Sequence, residues 1–330
     1  MLQVNHKITI GSGSFLSNAP SGSVQERTRL INLRASASLN IPTNTCRLVL
    51  SSPDDLSFAP QDPVTVELGY QDNLAKIFTG TVDTVEWDID QVTIRATSSF
   101  QKLLAASFNL LYEKSKAGDI VSDILTRLGL SSGKVENGIE FPVYMIGDND
   151  SVYQHLRTLA RQCGFDFYAD PEDQVLFAPY SPAKTHKFEY GVNILSLTAE
   201  QPTTPITGVE VYGESPTSFG QGADAYAWLT KQEVQGKTGD SSGVVKRLAD
   251  PTARTLEIAS QIAQAILAAE VPKRRGSLKA IGTPEVKLGS AIEIAKMPIA
   301  SQNGSFKVIE IQHSLSRQQG FCSQIYWEER

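Results

Sequence analysis

Lys116-Ala-Gly-Asp-Ile-Val-Ser-Asp-Ile-Leu-Thr-Arg-Leu-Gly129 and Asp148-Asn-Asp-Ser-Val-Tyr-Gln-His-Leu-Arg-Thr-Leu-Ala-Arg-Gln-Cys-Gly164 are the two stretches whose reading decides the fold. In the first, Ile120, Val121, Ile124, Leu125 and Leu128 recur at spacings of three and four, so one helix face is apolar. Gly129 follows, where a left-handed residue ends a helix. In the second, a run of capping residues from Asp148 to Ser151 precedes Val152, Leu156, Leu159, Ala160 and Cys163, and Gly164 closes the pattern. Phe165-Asp-Phe-Tyr168, the turn at Asp170-Pro-Glu-Asp173 and Val175-Leu-Phe177 then read as a hairpin. Strand-rich sequence flanks this helix–helix–hairpin unit on both sides.

Working outward, Val64, Val66, Leu68 and Tyr70 alternate with polar residues as a half-buried strand does. Further strands are expected at Arg47–Leu50, Lys76–Trp87 and Val92–Ala96, with Gly80 marking a bulge or tight bend. Phe100–Leu111 has helical spacing. On the far side, strands are expected at Ile194–Thr198, Gly208–Tyr212, Leu278–Ile281, Ile292–Ile294, Phe306–Leu315 and Phe321–Trp327. Gly213–Ser242 reads as a long loop, and Asp250-Pro251 as the N-cap and first residue of an Ala-rich helix that stops before Pro272. The fold class is therefore mainly β with α. Three units are expected: a first β-barrel at 1–108, a mixed middle unit at 109–185, and a second β-barrel at 186–330 with a long loop at 213–247.

Composition narrows the function classes. The 330 residues exceed one ordinary domain, and 41% hydrophobic with 20% charged residues suits a folded chain. A net charge of −6 argues against nonspecific nucleic-acid binding by the surface as a whole, and predicts acidic walls for any channel the protein forms. No apolar run reaches the length of a membrane span. Cys46, Cys163 and Cys322 are odd in number and far apart, which points to reduced, buried thiols. Gly236-Lys-Thr238 lacks the glycine a phosphate loop needs at position 231, where Lys231 stands. Asp148-Asn-Asp150 lacks the remaining ligands of a calcium loop and is better read as helix capping. His6, His155, His186 and His313 form no ligand pair, and no nucleophile elbow occurs. Lys273-Arg-Arg275 reads as complementing a helix end, or pairing with acidic groups on a neighbouring subunit. No catalytic, cofactor-binding or metal-binding residue is nominated, and no cofactor is expected.

Ala117–Leu130, Asn149–Gly164 and Val175–Phe177 resemble the middle segment of the phage late control D family, the baseplate hub proteins of contractile phage tails and contractile injection systems. Gly282-Thr-Pro-Glu-Val-Lys-Leu-Gly-Ser-Ala-Ile-Glu-Ile294, Gly304-Ser-Phe-Lys-Val-Ile-Glu-Ile-Gln-His313 and Gly320-Phe321 are similar to the family's C-terminal run. Together these stretches cover about half the chain. The resemblance implies a non-enzymatic structural protein. It implies a homotrimer with two tail-tube-like β-barrels per subunit, and a pseudo-sixfold ring joining a hexameric tail tube to a trimeric spike. Partners would be itself, the spike, the tube protein and other baseplate proteins, with no membrane and no specific nucleic acid. Such a protein would sit in the cytoplasm of the producing bacterium until built into a phage tail or injection particle. Because the chain ends at Arg330, directly after its last strand, the spike is expected as a separate protein. Two other readings stay open: an enzyme or glycan-binding module acting on cell wall, and another tube or baseplate component. The two β units are further expected to be copies of one fold, since a trimer mates with a sixfold ring only if each subunit offers two similar surfaces.

Overall fold

The computed structural model describes residues 3–16, 29–51, 58–71, 73–148, 150–182, 184–203, 206–214 and 230–329. The fold is mainly β. The N-terminal half contributes β1 (Val4–Ile10), β2 (Gly13–Leu16), β3 (Leu30–Ser38), β4 (Thr45–Ser51), β5 (Pro63–Tyr70), β6 (Asn73–Trp87) and β7 (Gln91–Thr97). The C-terminal half contributes β13 (Thr185–Glu189), β14 (Ile194–Glu200), β18 (Arg275–Ile281), β19 (Ala291–Ala295), β20 (Gly304–Ser316) and β21 (Gly320–Glu329). All belong to one sheet, whose main path runs β14-β18-β21-β20-β3-β4-β7-β6-β5-β1-β2. Each half covers its own core. Leu33, Leu48, Phe78, Val82 and Ile94 lie in the first, and Leu278, Ile292, Phe306, Ile325 and Trp327 in the second.

The two halves repeat one topology. Ordered along the chain, β1, β3, β4, β5, β6 and β7 take the same places in the sheet as β13, β14, β18, β19, β20 and β21. The match extends to single residues. Leu33, Leu48, Ile94 and Val85 stand opposite one another in successive strands of the first half, and Leu197, Leu278, Ile325 and Ile311 in the second. Both halves carry a register shift two residues from the start of the edge strand, at Leu30/Asn32 and Ile194/Ser196. Both carry a second in the long strand, at Val82/Thr84 and Val308/Glu310. Gln61 and Gly289 take the same left-handed conformation, φ 74° and 70°, and each donates its N–H to the matching carbonyl, Val82 O and Val308 O. A bulge re-aims every side chain beyond it, so shared bulges mean shared inward and outward faces. The repeat departs in three places. β1 runs antiparallel to β5 whereas β13 runs parallel to β19. Strand β2 has no counterpart. The short β3–β4 turn is replaced by a long excursion between β14 and β18.

That excursion folds back onto the middle unit. The middle unit holds β8 (Leu110–Lys116), α2 (Ala117–Arg127), β9 (Ser132–Val135), β10 (Glu140–Ile146), α3 (Val152–Cys163), β11 (Asp166–Ala169) and β12 (Val175–Ala178). The helices and hairpin stand where the periodicity placed them. Ser151 caps α3 in a capping box with Gln154, and Gly129 and Gly164 take φ 61° and 69°. The excursion supplies β15 (Ile206–Glu214), β16 (Thr230–Gly239), β17 (Val244–Asp250) and α4 (Leu256–Glu270). Val209, Val211, Ile258, Ile262 and Ile266 share one core with Ile120, Leu156, Phe167 and Phe177. Residues expected to belong to a second unit at 186–330 thus divide between two cores, and α4 lies against α3 instead of beside the C-terminal strands.

Other expectations are corrected. Phe100–Leu111 is only a 3-10 turn and the single helical turn α1 (Lys102–Ala105), after which Leu110 starts β8. Pairing of β8 with β10 outweighs the local helical spacing. Asp250-Pro251 does not open α4. The Asp250 carboxylate accepts from Thr252 N (2.9 Å) and from Gln162 Nε2 (2.6 Å), fixing a turn, and Thr255 caps the helix. The described part of the expected loop at 213–247 is largely strand, with β15 pairing with both β16 and β17; residues 215–229 lie outside the described residues. A partly buried ion pair, Lys307 to Asp166 at 2.6 Å, ties the middle hairpin to the C-terminal half.

Candidate assembly interface

The sequence points to no catalytic or ligand residue. Among the described residues no group of three or more His, Cys, Asp or Glu is placed to hold a metal ion, and no helix is long and apolar enough to cross a membrane. Gly236–Thr238 lies inside β16, not in a strand-to-helix loop, and Lys237 pairs with Glu210. Cys46 and Cys322 are buried thiols and Cys163 is half-buried. Lys273–Arg275 does not cap a helix end. Arg274 pairs with Glu329 at 2.9 Å and Arg275 with Glu200 at 2.5 Å, within the same chain. What the sequence did not reveal is the arrangement of strand edges.

The halves meet edge to edge. The outer edge of β3 pairs antiparallel with the C-terminal part of β20, from Glu310 opposite Ser38 to Ser316 opposite Asn32. Leu33 faces Leu315 and is fully buried. Gln312 Nε2 donates to Ser36 Oγ at 3.1 Å, and Leu39 N donates to Ile309 O at 2.9 Å. Beside the ladder, the Tyr70 ring lies 5.9 Å from Phe321 and its hydroxyl donates to Gly282 O at 3.0 Å.

His313 sits in this junction opposite Ala35. Thr283 N donates to Ser323 Oγ, the Ser323 hydroxyl donates to His313 Nδ1, and His313 Nε2–H donates to Val286 O. The chain is complete only with neutral imidazole, and burial lowers the His313 pKa to about 4. A depressed histidine gives its full stability above the unfolded value of 6.5 and loses it as pH falls through the folded value. His6 is buried with the same direction of shift. The urea midpoint should therefore fall between pH 6.5 and 4.5. In that window Glu189, held at about 2 by Lys296 and Lys187, has not begun to contribute. A flat midpoint across it would contradict the neutral assignment.

The counterparts of this junction stand open. β14 corresponds to β3, and residues 83–87 of β6 correspond to the part of β20 that β3 covers. Among the described residues no strand lies beside either edge. Large exposed apolar side chains stand at both: Trp87 at the end of β6 with Ile89 just beyond it, 98% exposed, and Leu195 in β14 with Val192 just before it. Ala35 is buried in β3 whereas its counterpart Ala199 is exposed in β14. Like residue types at like positions are buried where a partner strand is present and bare where it is not. An unpaired strand edge with exposed apolar residues is a template for another strand.

No protein-family model matches the chain, and no curated protein matches it. Solved structures do. The fold is similar over 98% of this chain to 98% of the 43 kDa tail protein of prophage MuSo2 from Shewanella oneidensis, at 14% identity and a TM-score of 0.69. It is similar over 99% of this chain to 96% of a tail protein from Neisseria meningitidis MC58, at 14% identity and 0.70. It is also similar, over 97% of this chain and 76% of the other, to the E. coli c3393 protein, at 10% identity and 0.62. That protein is a component of the type VI secretion system with structural similarity to the T4 bacteriophage tail proteins gp27 and gp5. At these identities the likeness establishes the fold.

Proposed function

We propose that the chain is a structural baseplate hub, three copies of which close into a ring that joins a hexameric tail tube to a trimeric spike in a phage tail or contractile injection particle. One observation carries the reading: each copy holds two register-matched halves, joined by an edge pairing whose equivalent no described strand fills at β14 or at the end of β6. Repeating the internal junction between copies pairs β14 of one with the end of β6 of the next. Trp87 then meets Ala199, Glu86 meets Glu200 and Val85 meets Gln201, the counterparts of His313/Ala35, Gln312/Ser36 and Ile311/Ala37. Thr203 N reaches the Asp83 carbonyl as Leu39 N reaches Ile309 O. Glu86 and Glu200 are like charges, but each arrives with its own arginine, Arg95 and Arg275, at 2.5 Å.

Three copies give six similar positions, the number a sixfold tube needs, and three dissimilar repeats for a threefold spike. The core face of the sheet carries β1, β5, β13, β19 and the middle unit. In a closed ring the concave side has the least room, so the bulk lies outside and the bare face of the sheet lines a central channel. Native mass spectrometry of the purified chain, alone and with its spike, tests the stoichiometry. Three copies are expected; six would reassign the chain to the tube, and one or two copies on a trimeric spike would exclude the hub.

A further inference from the structure

We infer that the bare face of the N-terminal half contacts the phosphodiester backbone of nucleic acid, without regard to base sequence, through a cross-strand row of Arg34, Arg47 and Arg95. In β3, β4 and β7 each arginine lies between two buried neighbours: Leu33 and Ala35, Cys46 and Leu48, Ile94 and Ala96. All three side chains therefore project from the face opposite the core. Arg34 stands directly opposite Arg47, and Arg47 directly opposite Arg95. With strands about 4.8 Å apart, the row spans roughly 10 Å. Arg95 is held by Glu86, but among the described residues no ion pair forms at Arg34 or Arg47.

Like charges directly opposite one another in a sheet are unfavourable, and among the described residues only Glu86, at Arg95, offsets them. An anion lying along the row does. Around the row on the same face stand Asn32, Ser36, Thr45, Thr84, Thr97 and Ser314, which offer hydroxyl and amide groups, with Val49 the apolar neighbour of Arg47. Arginine flanked by small hydroxyl and amide donors is the donor set that phosphate oxygens accept from. An acidic peptide would use the guanidinium groups but would have little use for this rim. In the C-terminal half the matching positions are Thr198, Ser277 and Tyr326, so the row is a property of one half only.

The site needs only the exposed face of one copy, so it stands apart from the ring. If the ring forms, its channel meets nucleic acid at three arginine rows, and its wall is not the uniformly acidic one that the net charge suggests.

The test is fluorescence anisotropy of two unrelated short DNA duplexes with the full chain over a range of salt concentrations. R34Q/R47Q is compared with K102Q/K114Q, which removes the same charge from exposed sites elsewhere. Both pairs are exposed, and thermal melts check folding. The two duplexes should bind alike, and R34Q/R47Q should flatten the slope of log K against log salt by about two while K102Q/K114Q leaves it in place. Equal loss in both variants, no duplex binding at low salt, or displacement of the duplex by polyglutamate at equal charge concentration would each overturn the assignment. Binding by a monomeric chain would support the row even where the ring had failed.

Discussion

Leu33→Ala should destabilise the isolated chain by about 2–5 kcal/mol, the range for emptying a buried leucine site. The same change at its counterpart, Leu197→Ala, should cost about 1 kcal/mol or less. The two residues hold one position in a repeated fold, each opposite a leucine on the next strand, Leu48 and Leu278. Leu33 is sealed by β20, with Leu315 opposite it, and is 0% exposed. Leu197 lies on the open edge and is only partly buried against the C-terminal core. The contrast should vanish on assembly. Once β6 of a neighbour covers β14, truncating Leu197 removes buried contact there too, so Leu197→Ala should lower the midpoint of ring dissociation while leaving the monomer's melt almost unmoved. Urea titrations of both variants, with oligomer mass followed in parallel, read both effects. Equal costs in the monomer would mean that the edge is already covered within one chain.

The local parts of the fold were legible because they are encoded locally. The stripe Ile120, Val121, Ile124, Leu125 and the closing Gly129 and Gly164 specify helices whatever surrounds them. The alternation in Val64–Tyr70 specifies a strand. What failed was decided elsewhere in the chain. Phe100–Leu111 has helical spacing, but Leu110 onward finds β10 as a partner some thirty residues away. Asp250-Pro251 looks like a helix start, yet Gln162 of α3 takes the carboxylate.

The repeat itself was anticipated from symmetry and from the strand content of the two regions, not from matched residues. Leu33/Leu197, Ala35/Ala199, Leu48/Leu278 and Ile94/Ile325 are identical pairs, but they are scattered among changed neighbours, and the insertion of β15–β17 and α4 breaks their spacing. Register carries the equivalence, and register is a property of pairs of strands. The arginine row was invisible for the same reason: Arg34, Arg47 and Arg95 are separate in sequence, and only the β3–β4–β7 pairing aligns them.

The ring is tested most directly by a covalent bond across it. Gln312 and Ser36 touch at the internal junction, so their counterparts Glu86 and Glu200 should touch between copies. A Glu86→Cys, Glu200→Cys chain removes the one unfavourable pair and places two thiols opposite each other in neighbouring strands. Antiparallel neighbours lie within the roughly 4.4–6.8 Å between Cα atoms that a disulfide spans. The native cysteines do not compete strongly, since Cys46 and Cys322 are buried and Cys163 lies in the middle unit. Glu200 lies on the edge strand β14 and Glu86 on the end of β6 that β5 does not cover, with β18, β21, β20, β3, β4 and β7 between them in the sheet, so no bond closes within a chain. On mild oxidation, the non-reducing gel should show dimer, then trimer, and nothing larger, with each single variant halting at dimer or below. A chain that stays monomeric under oxidation, in the presence of its spike, or one that ladders past three copies, would contradict a closed ring of three.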